Sequence, residues 1–179
     1  MEGIPSNLRS WVTYTARCVI LSTILATGCT RVRTPPPLTI DQSVATTNSV
    51  RAFAANVADD VTRRGPLAWR DHFSDTPSFF MAADGQLVFA NSDAATRGIK
   101  ELPRSIAHIE LRWGDPVLVD PLTAALAMLA VPYHEVLVDN AGHRVESRGY
   151  FTGLAELGPA GWKFRNAHWS VAAPTPPAP

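Results

Sequence analysis

The hydrophobic pattern of this sequence changes lastingly at about residue 104, and that change constrains the fold more than any other feature. Before about residue 104 the strongest apolar pattern has helical spacing, whereas from there to residue 171 the chain consists of β-prone runs joined by turns. Helices first and a long strand meander afterwards predict an α+β fold, with the helices packed on one face of a curved antiparallel sheet.

The helical part opens with one strongly periodic segment, residues 47–64. Its apolar residues recur at i, i+3 and i+4 spacing, namely Val50, Phe53, Ala54, Val57, Ala58 and Val61. Gly65 suits a left-handed cap at the end of this helix, and Pro66 suits the start of a short second helix. We therefore predict two linked helices at the beginning of the domain.

A hairpin and a third helix follow. Asp84-Gly85 lies between two apolar, β-prone runs, which is a good local indication of a hairpin turn. Residues 91–102 then read as a helix with Ser92 or Asp93 as its N-cap, and Pro103 marks its end.

Two of the predicted strands carry unusual features. The run 123–139 reads as one long strand, and it accommodates Pro132 only at an edge or a bulge. The closing segment 161–171 mixes apolar and charged side chains on both faces, so it either lines a polar cavity or makes contacts on both sides. The alternation leaves open whether His168 or Trp169 faces inward.

The N-terminus resembles a bacterial export signal. Arg9 and Arg17 precede an apolar run at 18–28, which is too short for a spanning helix, and Cys29 follows it. The sequence "LATGC" resembles the lipobox of bacterial lipoproteins, in which the signal is cleaved before a cysteine that becomes lipidated. The alternatives are an ordinary signal peptide with a chance cysteine and an uncleaved anchor.

These features divide the chain into four segments. We predict a lipoprotein signal peptide at 1–28, a Pro-rich tether at 29–45, one domain at 46–171 and a disordered Pro-rich tail at 172–179. The lipoprotein resemblance implies a protein anchored in the bacterial cell envelope through Cys29. The periplasmic face of the outer membrane is the favoured location, because Thr30 stands where an Asp would favour inner-membrane retention.

The C-terminal sequence "GYFTGLAELGPAGWKFRNAHWS" resembles the SnoaL-like, ketosteroid isomerase-like superfamily, which shares the nuclear transport factor 2-like fold. Members commonly end with a strand carrying a Thr, a turn, Gly-Trp, an apolar residue and His-x-Ser. The corresponding positions here are Thr152, Gly161, Trp162, Phe164, His168 and Ser170. The resemblance implies a cone-shaped α+β barrel in which about three N-terminal helices pack on a mixed, mostly antiparallel sheet. It also implies an internal pocket and a homodimer.

Three residues are candidates for acid-base chemistry: His134, Glu135 and His168. His134 and Glu135 are neighbours on a predicted strand and face opposite ways, so they do not form a local pair. His168 lies among aromatic residues, where a hydrogen-bonded structural histidine is an equally good interpretation.

Seven apolar or aromatic residues are candidates for the wall of a ligand pocket: Trp69, Phe73, Phe80, Met81, Tyr133, Phe151 and Trp169. Ordinary core packing is the competing interpretation. Large aromatic side chains in one region are compatible with both.

Composition and motifs exclude several classes of function. Lys and Arg number 16 and Asp and Glu number 16, so no net field favours nucleic acid. The sequence has no dinucleotide-binding or phosphate-loop motif and no metal-ligand spacing, so we predict no cofactor and no metal.

The sequence-based prediction of function is therefore an envelope lipoprotein whose single domain binds a small, largely apolar organic ligand. One alternative is a cofactor-free isomerase, dehydratase or hydrolase that uses acid-base chemistry in the pocket. The other is a non-catalytic module for dimerisation or partner binding.

Overall fold

The structure is a computed structural model, and it describes residues 37–172. The predicted signal peptide, Cys29 and nearly all of the predicted C-terminal tail lie outside this range. In chain order the elements are α1 (Ile40–Arg64), α2 (Trp69–His72), β1 (Phe80–Ala83), β2 (Gln86–Phe89), α3 (Ser92–Glu101), β3 (Ile106–Trp113), β4 (Leu118–Thr123), β5 (Leu126–Asp139), β6 (Arg144–Gly158) and β7 (Gly161–Val171). Two short 3₁₀ turns, Pro66–Ala68 and Leu102–Arg104, precede α2 and follow α3.

Helix α1 begins at Ile40, inside the segment 29–45 that the sequence assigned to the tether. Its start is a capping box: the Thr39 hydroxyl accepts from the Gln42 amide at 3.2 Å, and the Gln42 side chain accepts from the Thr39 amide at 3.0 Å. The apolar stripe alone does not reveal this start, because the apolar residues of the first turns, Ile40 and Val44, are exposed and lie outside the buried stripe. The helix ends before Gly65, whose φ is positive at 77°; its ψ of −170° is not that of the left-handed helical cap that the sequence predicted.

The third helix also starts one residue earlier than the predicted caps. Asn91 is its N-cap, and the Asn91 side chain accepts from the Ala94 amide at 2.8 Å. Ser92, one of the two residues predicted for this role, instead donates its hydroxyl to the Asp75 carbonyl at 3.2 Å.

The seven strands form one mixed, mostly antiparallel sheet with the order β2-β1-β7-β6-β5-β3. Strand β4 pairs with the first part of β5, and β3 pairs with its second part. The pairing of β1 with β7 is parallel, and the other pairings are antiparallel. The predicted α+β class, with three helices on a mixed and mostly antiparallel sheet, is confirmed.

The run predicted as one strand over 123–139 is interrupted at 124–125, where β4 turns into β5. This turn contains only alanines, so it lacks the Gly or Pro that identifies most hairpins from sequence. Pro132 lies neither at an edge nor at a bulge. It faces the break between the two partners of β5, where the Gly114 amide donates to the Pro132 carbonyl at 2.8 Å, so its missing N–H disrupts no strand pairing.

Strand β7 contains a β-bulge at Arg165. Leu154 of β6 pairs with Asn166, and the next residue, Ala155, pairs with Phe164, so Arg165 has no partner across the ladder. One extra residue on one strand reverses the alternation of side chains beyond it. The bulge therefore decides which side chains of β7 face the helices.

The two halves of β7 consequently bury residues of opposite parity. Phe164, before the bulge, and Ala167, after it, are both buried. Trp169 continues the inward series and meets Trp69 of α2 edge to face, with ring centroids 5.6 Å apart. His168 lies on the outer face and is exposed. The question that the sequence left open is answered in favour of Trp169.

The core lies between the concave sheet face and the helices. Its largest fully buried side chains are Phe73, Phe79, Phe151, Phe164, Ile99, Leu129, Val50, Val57, Val61 and Val131. Burying each such apolar side chain contributes about 1.5 to 3 kcal/mol. Within residues 37–172, no helix combines the length and the apolarity that a membrane span requires.

Candidate functional site

A cavity of about 320 Å³ opens between the helices and the sheet. Helix α2 and the end of α3 form one side, the β1–β2 hairpin forms the second, and strands β3, β5, β6 and β7 form the third. Most of its lining is apolar. Aliphatic side chains from all three sides contribute to this lining, namely Val88, Ile99, Leu102, Ile106, Ile109 and Leu137.

Aromatic rings form one wall of this cavity. Trp69 stacks on Phe73 with ring centroids 5.4 Å apart, and Tyr133 meets Trp169 edge to face at 4.7 Å. These four residues and Met81 line the cavity, and all five were among the seven predicted ligand contacts. The sequence located them because large apolar residues cluster around α2, β1 and the middle of β5.

The polar groups lie on the β5–β6 wall of the cavity, and Tyr133 belongs to both this polar wall and the aromatic wall. Tyr133 and Glu135 project from β5 at alternate positions, and Ser147 lies directly across from Glu135 on β6. Burial raises the pKa of the Glu135 carboxyl from its ordinary value of 4.5 to about 7. Burial also raises the pKa of the Tyr133 hydroxyl.

In the part of the chain that the structure describes, Glu135 has no compensating charge nearby. Among the side chains of residues 37–172, none forms an ion pair or a side-chain hydrogen bond with its carboxylate. Its neighbours along the wall are uncharged or acidic, and the only factor that moves its pKa is removal from water. Burying a carboxyl group without an ion-pair partner costs folding free energy, so the group does not serve stability. Unpaired groups of this kind are typical of functional sites.

Asp84 stands at the rim of the cavity. It occupies the tight turn between β1 and β2 with a positive φ of 49°, and its carboxylate accepts from the Val171 amide at 2.9 Å. The Asp84 amide in turn donates to the Trp169 carbonyl at 3.1 Å. These two hydrogen bonds fix the hairpin against the end of β7, so the rim and the aromatic wall are held together.

Two of the three predicted acid-base residues lie away from this cavity. His134 projects from the outer face of β5, where its Nε2 is 3.1 Å from a Glu146 carboxylate oxygen. His168 also lies on the outer face, because the bulge at Arg165 reverses the alternation of side chains along β7. Of the set His134, Glu135 and His168, only Glu135 lines the cavity.

Two of the seven predicted ligand contacts are also absent from the lining. Phe80 points to the outer face of β1 and is 47% exposed, since its neighbour Met81 takes the inward position. Phe151 is fully buried beneath Trp169, with ring centroids 4.7 Å apart, and supports the wall without reaching the cavity. For Phe151, core packing was the right interpretation.

Sequence reasoning missed Ser147 and Asp84 as parts of the site. Ser147 sits in a polar run, and only the pairing register of β5 with β6 places it opposite Glu135. Asp84 was identified as a turn residue, but its reach to the end of β7 depends on the parallel pairing of β1 with β7. Neither relationship has a local signal in the sequence.

A second, more polar groove lies between α1 and the β6–β7 turn. His72, at the end of α2, is 8% exposed, and its Nε2 is 3.2 Å from a carboxylate oxygen of Asp60. Burial lowers the pKa of His72 more than the nearby carboxylates raise it. The ring thus turns away from the aromatic cavity that Trp69 and Phe73 line, although the three residues are close in sequence.

The sequence matches no protein-family model and no curated protein. Solved structures are nevertheless similar in fold. One is a nuclear transport factor 2-like superfamily protein from Salmonella enterica, with a TM-score of 0.61 and 11% identity over 75% of this chain and 95% of that chain. A candidate scytalone dehydratase from Novosphingobium aromaticivorans gives a TM-score of 0.65 and 9% identity over 75% of this chain and 89% of that chain.

A hexachlorocyclohexane dehydrochlorinase is also similar, with a TM-score of 0.58 and 12% identity over 75% of this chain and 90% of that chain. Identities this low establish the fold and leave the activity open. They agree with the resemblance drawn from the C-terminal sequence and with the topology of helices on a curved sheet. The chain therefore has the nuclear transport factor 2-like fold.

Proposed function

We propose that this domain binds a small, largely apolar organic molecule in the cavity between Trp169 and Glu135. The observation that carries the proposal is a mostly apolar cavity that contains one unpaired carboxyl group. Ligand pockets combine apolar walls with a few polar groups that fix orientation. At about 320 Å³ the cavity is roughly twice the size of a protein cavity of about 150 Å³ that accepts benzene, so it suits a molecule with one or two rings.

Two alanines on β1 provide a matched test of this proposal. Ala83 lines the cavity, whereas Ala82 is its neighbour on the other face of the same strand. We expect naphthylmethanol, a neutral two-ring probe, to bind the wild type and the Ala82→Phe variant, as measured by calorimetry. The Ala83→Phe variant should lose this binding because its ring fills the cavity. Absence of wild-type binding both by this probe and by the amine of the same shape, or equal binding of the probe to both variants, would contradict the proposal.

Acid-base catalysis is the second candidate function, and Glu135 is the observation that favours it. A carboxyl group with a pKa of about 7 is suited to accept a proton from a bound carbon or oxygen acid near neutral pH. Two of the solved structures with this fold bear the names of a dehydratase and a dehydrochlorinase. In such an enzyme Glu135 would be the base, with Tyr133 and Ser147 as hydrogen-bonding groups on the same wall.

Turnover separates this candidate from binding alone. An enzyme that uses Glu135 as its base shows a rate that rises with pH through about 7, and the Glu135→Gln variant loses about 10²-fold or more of that rate. A pure binding protein leaves such probe compounds chemically unchanged. The probes suited to this measurement are small cyclic alcohols and halides, which undergo elimination after removal of a proton.

We further propose that the domain is held at the bacterial cell envelope by lipid on Cys29, with the outer membrane favoured. Two acyl signals are needed for stable anchoring, and a lipidated cysteine supplies them. The sequence offers a matched control, since Cys18 is the only other cysteine. Cys29→Ser should abolish labelling by radioactive palmitate and release the protein from the membrane fraction, whereas Cys18→Ser should change neither.

We also propose a homodimer that forms through the outer sheet face. Phe80, Met128 and Tyr150 are exposed on β1, β5 and β6, which gives this face apolar side chains to bury. Light scattering should report a dimer for the wild type and a monomer for Met128→Lys. Leu67→Lys, at an exposed apolar position in the 3₁₀ turn between α1 and α2 and not on the sheet, is the control that should stay dimeric.

A further inference from the structure

Among the described residues, the formal charges that line the cavity all have one sign. Asp84 at the rim and Glu135 on the wall are its acidic residues, and Tyr133 is the remaining titratable group. No Lys, Arg or His side chain lines the cavity within residues 37–172. An anionic ligand would therefore meet two acids and no positive partner, at a site where low polarity strengthens repulsion.

The aromatic wall of the cavity also favours a positively charged ligand group over a negatively charged one. Trp69, Phe73, Tyr133 and Trp169 surround the apolar side of the cavity, and Trp169 touches both Trp69 and Tyr133 through its ring. The face of an aromatic ring carries partial negative charge and attracts cations, most strongly in Trp. Rings and acids therefore favour the same type of ligand group.

The polar wall also matches the hydrogen-bonding capacity of an ammonium group. An ammonium carries three N–H donors and has no acceptor. Glu135, Ser147 and Tyr133 present oxygen atoms from neighbouring positions of β5 and β6 on the same face. A charged donor would give Glu135 the counter-charge that none of the described residues supplies.

We propose that the molecule bound in this cavity is a small ring-containing amine, whose protonated nitrogen pairs with Glu135 while its ring lies against Trp169. This inference rests on the proposed ligand-binding function and specifies its ligand class. A neutral ligand fills the same space and leaves the carboxyl group unpaired. A protonated amine fills the space and removes the energetic penalty of an isolated buried carboxylate.

Three probes of equal shape and different charge test the ligand class: naphthylmethylamine, naphthylmethanol and naphthoate. Calorimetry at about pH 8 should show that the amine binds the wild type about tenfold or more tightly than the alcohol, with naphthoate weakest. In Glu135→Gln the amine should fall to the affinity of the alcohol. The alcohol should retain its affinity, which also shows that the variant is folded.

A pH series on the wild type provides the same test without a substitution. The affinity of the wild type for the amine should decrease as the pH falls below about 7, because Glu135 takes up a proton and loses its charge. Asp84 and Tyr133 are the other titratable groups facing the cavity, and burial raises the pKa of the Tyr133 hydroxyl above its ordinary value of 10. The alcohol should show no such loss.

The outcomes separate this inference from the function on which it rests. If neither the alcohol nor the amine binds the wild type, the ligand-binding function is wrong. If the alcohol or naphthoate binds as tightly as the amine, the cavity is a binding site and the amine class is wrong. A preference for the amine that survives both Glu135→Gln and acidification would also overturn the inference.

Discussion

The ring of Trp169 meets the ring of Tyr133 edge to face, with centroids 4.7 Å apart, and both rings line the same cavity. This contact joins β7 to β5 across the intervening strand β6. It exists because the bulge at Arg165 turns Trp169 inward. One unpaired residue in the last strand therefore shapes the aromatic wall of the candidate site.

Substitutions on the two faces of β7 beyond this bulge should have unequal effects on stability. Trp169 contacts four other aromatic rings, so Trp169→Ala should lower the free energy of unfolding by about 3 kcal/mol. His168→Ala removes an exposed side chain and should change it by less than about 0.5 kcal/mol. Urea unfolding measures both values. A larger loss for His168→Ala would contradict the inward position of Trp169.

Glu135 should make the protein less stable as the pH rises. The pKa of its carboxyl is about 7 in the folded protein and about 4.5 when unfolded, so the folded state binds more protons between these values. The stabilisation that depends on protonated Glu135 is therefore fully present below about pH 4.5. It is lost progressively as the pH rises to about 7. The loss amounts to about 3 kcal/mol, at about 1.4 kcal/mol for each pKa unit.

The Glu135→Gln variant isolates this contribution. It should lack the downward slope between about pH 4.5 and 7, and it should be the more stable protein at about pH 8. Urea unfolding across this pH range measures the slope directly. Parallel pH profiles for the wild type and the variant would show that Glu135 is well solvated.

His72 should act in the opposite direction. Burial lowers its pKa below the ordinary value of 6.5, so the unfolded state binds the proton more readily. Stability should be lost as the pH falls below about 6.5 toward the lower folded pKa. The effect is best seen in a Glu135→Gln background, where adding His72→Gln should remove the loss that begins at about pH 6.5 and leave the loss from carboxylates at lower pH. An unchanged profile in that double variant would exclude His72 as its source.

Gly149 should tolerate no side chain. It lies on β6 opposite Val171, and a Cβ added there would overlap the backbone carbonyl of Ser170. Because backbone atoms cannot rotate aside, Gly149→Ala should destabilise the protein by about 3 kcal/mol. Gly158, on the same strand, has open space around its Cα, so Gly158→Ala is the control and should have little effect. Similar melting temperatures for the two variants would refute the close approach of β6 and β7.

The sequence predicted the larger features of this fold because they have local or periodic signals. The apolar stripe identified α1, Asp84-Gly85 identified the first hairpin, and the β-prone runs identified a sheet after the helices. The turn at 124–125 was not predicted from the sequence, because alanine carries no turn preference. The capping box at Thr39 was not predicted either, because the apolar stripe begins later than the helix.

The candidate site could be predicted only in part, since it depends on register. Alternation correctly separated His134 from Glu135, and the structure places Glu135 in the cavity and His134 on the outer face. Which of the two faced inward depended on the pairing and curvature of β5, and the position of His168 depended on the bulge at Arg165. Neither a register nor a bulge is encoded in the few residues around it.

The most direct test of the central claim is the titration of Glu135 itself. Nuclear magnetic resonance of its side-chain carboxyl carbon, assigned by comparison with Glu135→Gln, gives the pKa with and without naphthylmethanol. We expect a pKa of about 7 in the free protein and a higher value with the probe, because a neutral ligand removes more water from the carboxyl group. A pKa near the ordinary 4.5 that the probe leaves unchanged would contradict the claim that Glu135 lies in a ligand-binding cavity.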